Sequence, residues 1–336
     1  MVRTPAYKPA FFWFSVFALI WSTFLLFAGG FTTSIQAGMA FLDWPLSNGS
    51  LNPEGWMEQP DQLAEHSHRL LGIKLGLLAI GLFIWAMLKE SRRWVRMLTL
   101  ALLSMVVFQG LLGGLRVLLD AQNIQTDHNL IAQSFAIAHA CGAQIVFCLL
   151  VSVALASSKS WIENNAGLQA PVDSTTRFWG IAACGALFVQ ILLGAVMRHG
   201  GAGLAIPTFP LTPEGNLLPD FWNFGISIHF AHRAWAVGVT VILLVFLSRL
   251  WNATYTRKAF SPLILGVVFG LALQIYLGAL TIWTVKNPHA ATFHMLGGAF
   301  LMGSTYALTF LSYRLRSNKS KASEVEAEQP APVAVR

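Results

Sequence analysis

Residues 65–88, EHSHRLLGIKLGLLAIGLFIWAML, open with four ionisable side chains and continue as an apolar run broken only by Lys74. A membrane-spanning helix needs about 20 mainly apolar residues, and the stretch from His66 to Leu88 is long enough. The same pattern returns at residues 229–247, HFAHRAWAVGVTVILLVFL. A shift of 164 lays His68-Arg69 on His232-Arg233. One apolar helix capped by a polar mouth, occurring twice, predicts a duplicated membrane protein.

Working outward, the whole chain fits that reading. Of its 336 residues, 55% are hydrophobic and 11% charged, against roughly 25% charged in soluble domains. Spans are predicted at 11–35, 66–88, 94–119, 130–156, 178–198, 226–250, 260–285 and 289–313. None alternates with period two, and each is too long for a barrel strand. The first follows Arg3 and Lys8, but its apolar run exceeds a signal peptide's 7–15-residue core, and the fifth span is its counterpart. The fold class expected is an all-α membrane protein of eight transmembrane helices. Lys89, Arg92, Arg93, Arg96, Lys159, Arg177, Arg249, Arg257, Lys258 and Arg314 join Arg3 and Lys8 on one side. The positive-inside rule then puts both termini in the cytoplasm. The net charge of +7 follows from this asymmetry and calls for no nucleic acid. Cys141, Cys148 and Cys184 all fall within predicted spans, so no disulfide framework staples the outer loops.

Further matches extend the repeat. A shift of 165 pairs Gly29 with Gly194, Ala37-Gly38 with Ala202-Gly203, and Trp44-Pro45-Leu46 with Phe209-Pro210-Leu211. It also pairs Gln109-x-x-Leu112-Gly113 with Gln274-x-x-Leu277-Gly278, while a shift of 155 brings His139 onto His294. Four helices per half make this a parallel repeat about an axis along the membrane normal. The predicted organisation is two pseudo-symmetric four-helix bundles, residues 11–157 and 178–313. Residues 1–10, the linker 158–177 and a disordered tail 314–336 lie on the cytoplasmic side.

Ionisable groups inside a bilayer are costly and mark functional sites. His68, His139, His232 and His294 are the histidines that superpose in pairs, two per half. Four residues after each comes a small residue, Gly72, Ala143, Ala236 or Gly298. Residues i and i+4 share a helix face, so each imidazole has an uncrowded neighbour, as a flat macrocycle on its iron requires. Zinc fits less well, since its sites want three or four ligands. Interhelical hydrogen bonding is the plainer alternative. Arg69 and Arg233 could bind haem propionates or anchor helix ends among headgroups. His66 projects away from His68, and His229 shares the face of His232 and could line that pocket. Glu65 lies three residues before His68, where the second half has His229. A carboxylate in one half alone suggests acid–base chemistry in that half, the alternative being a favourable helix-dipole charge.

Glu65-x-x-His68-Arg69-x-x-Gly72, the loop Gly38-x-x-x-x-Asp43-Trp44-Pro45, Gly113-Gly114-x-Arg116-Val117 and the later histidines together resemble the heme A synthase family over roughly residues 10–313. The resemblance implies oxidation of the C8 methyl group of heme O to a formyl group, by successive hydroxylations and loss of water. It implies that His232 and His294 hold a resident heme b through its iron, that His68 and His139 bind the substrate haem, and that Glu65 is catalytic. It further implies the cytoplasmic (inner) membrane, a heme O synthase upstream, an electron donor and a role in cytochrome oxidase assembly. The cysteine pair that some members carry in the outer loops is absent. Two other functions fit the histidines, a bis-histidine b-type cytochrome passing electrons and a haem transporter or chaperone.

Overall fold

The computed structural model describes residues 6–121, 129–163 and 172–327. Eight long helices occur among these residues: α1 (Pro9–Ser34), α2 (Pro60–Lys89), α3 (Arg93–Ala121), α4 (Leu130–Ser157), α6 (Ser174–His199), α7 (Phe224–Asn252), α8 (Thr254–Trp283) and α9 (Pro288–Ala327). A single turn and a half, α5 (Lys159–Glu163), follows α4. All eight long helices contain a stretch long and apolar enough to cross a membrane.

Two ends differ from expectation. Helix α2 begins at Pro60, ahead of the predicted His66, because proline at the first helical position lacks only an N–H that the helix would leave unbonded. Helix α9 continues to Ala327, so the tail expected to be disordered from 314 is helical over most of its length. Lysine, alanine and glutamate there are good helix formers. Residues 328–336 and 1–5, and with them the ends of the predicted tail and N-terminus, lie outside the described residues, as do 164–171 of the linker.

Helices α1, α2, α3 and α4 pack in a closed ring, each on the next and α4 back on α1. Helices α6, α7, α8 and α9 form a second ring with the same order of neighbours. The rings meet through α1 on α9, α4 on α9 and α4 on α6. Helix α4 is the most buried of the eight, since it faces both its own ring and the other. Outward-facing residues such as Trp13, Phe17, Leu77, Val237 and Phe269 are exposed and apolar, a surface that lipid solvates and water does not.

Lipid tails are as apolar as leucine, so close packing and interhelical hydrogen bonds must hold such helices together. Gly30 receives the methyl end of Met295 across α1 and α9, and Gly303 receives the Phe147 ring across α9 and α4. Trp21 of α1 donates from Nε1 to Leu71 O of α2 at 3.0 Å. In the second ring the direction reverses, with Trp235 of α7 donating to Ala186 O of α6 at 2.9 Å. Arg198 Nη2 of α6 reaches across to α1, 2.6 Å from Gly30 O and 2.7 Å from Ser34 Oγ. Ser34 Oγ in turn lies 2.9 Å from Thr292 Oγ1 of α9.

Candidate functional site

His68 of α2 and His139 of α4 bring their ring centres to 6.3 Å with an interplanar angle of 86°. His232 of α7 and His294 of α9 stand 6.4 Å apart at 75°. The four histidines that the repeat singled out therefore meet as two pairs, one inside each ring of helices. Among the described residues, no group of three or more His, Cys, Asp and Glu side chains could hold a metal ion, so an ion at either place would have two protein ligands. A metal–imidazole bond of about 2.1 Å plus about 1.1 Å from nitrogen to ring centre, counted on both sides, spans about 6.4 Å. Both separations would leave room for one ion held by an imidazole from each of the two helices.

Glycine sets the position of each ring. A Cβ on Gly29 would lie 2.7 Å from His68 Cε1, and one on Gly113 would lie 3.1 Å from His139 Cε1. Gly194 and Gly278 stand in the same relation to His232 and His294, at 3.0 Å each. These are the glycines that the 165-residue shift matched. The repeat exposed them in the sequence, but their use as platforms for the imidazoles was not legible there.

Backbone carbonyls then orient two of the rings. His139 Nδ1 is 3.0 Å from Gln109 O, and His294 Nδ1 is 3.1 Å from Gln274 O. A carbonyl can only accept, so Nδ1 carries the proton and Nε2 keeps its lone pair for a metal. Beside His68, nothing lies within 4 Å of where a Cβ on Gly72 would be. That leaves open space one turn after His68, where the sequence places a small residue. At the matching Gly298 the Gln274 amide nitrogen stands 3.3 Å from such a Cβ.

The mouths of the two rings share a backbone pattern. Arg69 Nη1 donates to Asp43 O at 2.8 Å and Leu46 O at 2.6 Å, and its Nη2 donates to Phe41 O at 3.2 Å. Arg233 Nη2 donates to Ile206 O at 2.9 Å and Thr208 O at 2.7 Å. Ile206 and Thr208 match Phe41 and Asp43 under the 165-residue shift. The residues three before the histidines also share a task, because Phe41 N donates to Glu65 Oε2 at 3.1 Å and Ile206 N to His229 Nδ1 at 3.2 Å. Glu65 and His229 are both buried, and each fastens a loop to its helix.

The halves differ in charge at this point. Glu65 Oε1 also pairs with Arg69, 3.2 Å from Nε and 2.5 Å from Nη2. With its three loop carbonyls, Arg69 thereby uses all five guanidinium donors. It is a strut holding Glu65 and the loop, and in this conformation it has no donor left for a propionate. Among the described residues, Nε and Nη1 of Arg233 meet no acceptor, so Arg233 retains that capacity. His66 is buried with Ser47 Oγ 2.9 Å from its Nδ1 and the Trp56 ring 4.5 Å away. It secures the loop after α1, and His68 is the imidazole that faces His139. Asp43 caps the same loop. Burial raises its carboxyl, but the Gly49 and Asn48 amides, each 2.8 Å away, outweigh that and hold it below the ordinary carboxylate range.

Among the described residues, eight apolar helices with a facing histidine pair in each of two helix rings define a class, multi-pass membrane proteins with paired imidazole sites. The sequence model of the cytochrome oxidase assembly protein family, COX15-CtaA, matches residues 11–306, and the chain belongs to that family. It is similar to the heme A synthase of Geobacillus kaustophilus, 27% identical over 337 residues covering 96% of this chain and 98% of the relative. The heme A synthase of Symbiobacterium thermophilum is 29% identical over 265 residues, 75% of this chain and 79% of its own. That of Caulobacter vibrioides is 26% identical over 356 residues, 94% and 98% of the two chains.

Proposed function

We propose that the chain is a heme A synthase, an oxidoreductase that converts the C8 methyl group of heme O to the formyl group of heme A for cytochrome oxidase assembly. The observation that carries this reading is the spacing of the histidine pairs, 6.3 and 6.4 Å between ring centres, in a chain of this family. Residues 11–157 and 178–313 form pseudo-symmetric halves in the cytoplasmic (inner) membrane, with residues 1–10, 158–177 and 314–336 in the cytoplasm. The two helix rings and the asymmetry of basic residues support that arrangement. Heme O comes from a heme O synthase, and electrons come from a separate donor.

His68 and His139 bind the substrate haem, with Gly29 and Gly113 holding their rings in place and the strip beside Gly72 leaving room for a flat ring. His232 and His294 hold a heme b, which supplies one-electron chemistry when bound. Arg233 offers its unused donors to a propionate. Glu65, one helical turn before His68, is the acid–base residue of the first half. Two successive hydroxylations, each taking one dioxygen, two electrons from the donor and two protons and releasing one water, turn the methyl into a geminal diol. Glu65 takes the proton of one hydroxyl and returns it to the other, which leaves as water and yields the formyl group. Arg69 and the Phe41 amide hold the carboxylate in position for this transfer.

The test is expression with a heme O source followed by mass spectrometry of the extracted haems. Heme b together with heme A is expected from the wild type. Glu65→Gln is expected to retain both haem sites and to lower formyl production by about a hundredfold or more. Bound haem without any formyl product in the aerated, reduced wild type would assign the chain to electron transfer instead.

A further inference from the structure

In the α3 segment Gly113-Gly114-x-Arg116, each named residue meets a different partner. Gly113 seats the His139 ring, whose Cε1 would stand 3.1 Å from a Cβ there. Gly114 lies against the Trp44 ring of the loop after α1, so that a Cβ would collide with the indole. Arg116 lays its guanidinium over Gly38 of the same loop, and its Nη1 donates to Gly38 O at 3.0 Å. Residues three apart share a helix face, which puts Arg116 one turn beyond the His139 platform, toward the mouth of the first ring. It is close enough for its charge to act on both His68 and His139.

A cation within an apolar span is costly unless a partner meets it. Arg116 lies inside the span of α3. Among the described residues it has one acceptor, Gly38 O, and no ion-pair partner. Asp43 is engaged by the Asn48 and Gly49 amides, and Glu65 by the Phe41 amide and Arg69. Arg116 thus keeps its Nε and Nη2 donors unused, where Arg69 has spent all of its own.

The second half points to the same need by another route. Thr281 stands where the 165-residue shift would put Arg116. Yet Gly203, the match of Gly38, is also covered by a basic side chain, with Lys286 Cδ 3.3 Å from where its Cβ would be. Val285 and Lys286 both take left-handed backbone there, with φ of 52° and 60°. A β-branched residue adopts such backbone only where its surroundings enforce it. Each half therefore lays a cation over one matched glycine, from positions that the repeat does not match.

We propose that Arg116 binds a propionate of the haem held between His68 and His139. This rests on the reading that each histidine pair binds a haem. Nε and Nη2 form one edge of the guanidinium, the edge that meets a carboxylate through two parallel hydrogen bonds, while Nη1 is tied to the loop. The C8 methyl of a haem shares its pyrrole with a propionate. Fixing that propionate fixes the rotation of the macrocycle about the axis through the two imidazoles, and with it the place of the methyl.

The experiment uses full-length protein carrying heme b, titrated with heme O and with heme O dimethyl ester, binding being read from the Soret absorbance. The wild type is expected to prefer the free acid by about tenfold or more. Arg116→Gln is expected to weaken heme O binding by a similar factor and to leave ester binding nearly unchanged. Arg116→Lys keeps the charge and loses the fork, so its preference for the acid is expected to fall between the two. Heme b content at the wild-type level reports that each variant is folded. Equal affinity of the wild type for acid and ester would overturn the proposal, whatever the variants do. So would an Arg116→Gln protein that binds both ligands more weakly by the same factor, since that loss belongs to the Gly38 contact alone. Failure of the wild type to bind either ligand would instead remove the functional reading on which the proposal stands.

Discussion

Glu65 and Arg69 form a buried ion pair, with side chains 5% and 12% exposed. Removing one member of such a pair strands the other charge, typically at about 3–5 kcal/mol. Arg69→Ala is therefore expected to destabilise the protein by about 3 kcal/mol or more, with the loop at 41–47 losing three carbonyl contacts besides. Adding Glu65→Gln to Arg69→Ala is expected to recover part of that loss, because no carboxylate then remains unpaired. Thermal unfolding in detergent of the two single variants and the double variant measures the coupling. Additive losses would mean that the pair contributes nothing beyond its separate contacts. The motif in the sequence marked Glu65 and Arg69 as important, and it did not reveal that they bond to each other. Residues i and i+4 can face one another on a helix, but whether they do depends on the loop that folds over them.

At the scale of elements, each imidazole is set by its own helix and by a glycine on the neighbouring one. Gly278→Ala is expected to displace the His294 ring, from which its new methyl would stand only 3.0 Å. Heme b content should then fall about tenfold or more, read from the absorbance per mole of protein. Gly72→Val provides the contrast, because its Cβ meets nothing within 4 Å. Valine there is expected to leave the stability of haem-free protein within about 1 kcal/mol while reducing uptake of heme O. Equal losses of stability in both variants would show that the strip beside His68 is packing space and no cradle. The glycine matches between halves were visible as a repeat, whereas their roles as platform or open space depend on what the adjoining helix presents.

Across the whole molecule, α4 is buried against both rings, and α1, α6 and α9 complete the contact between them. The first ring thus lacks a covered α4 when the second is missing. Residues 1–163 expressed alone are expected to be degraded or to bind no haem, and co-expression with residues 164–336 is expected to restore both sites. Haem bound by the isolated first half would show that the ring suffices without its neighbour. The cross-ring contacts of Arg198 with Gly30 and Ser34 were not legible in the sequence, since Thr33 occupies the position matching Arg198 and the repeat gives no cue there.

Sequence alone determined the eight apolar spans, the duplication and the choice of four histidines out of nine. Hydrocarbon imposes a length and composition that any span must meet, and a duplicated pattern shows which polar residues are held in common. Only the tertiary structure decided that Glu65 and His229 accept matching loop amides, and that Arg69 has spent its donors while Arg233 has not. Those outcomes depend on the path of a loop and the facing of one helix toward another, which packing in three dimensions sets and a one-dimensional period cannot.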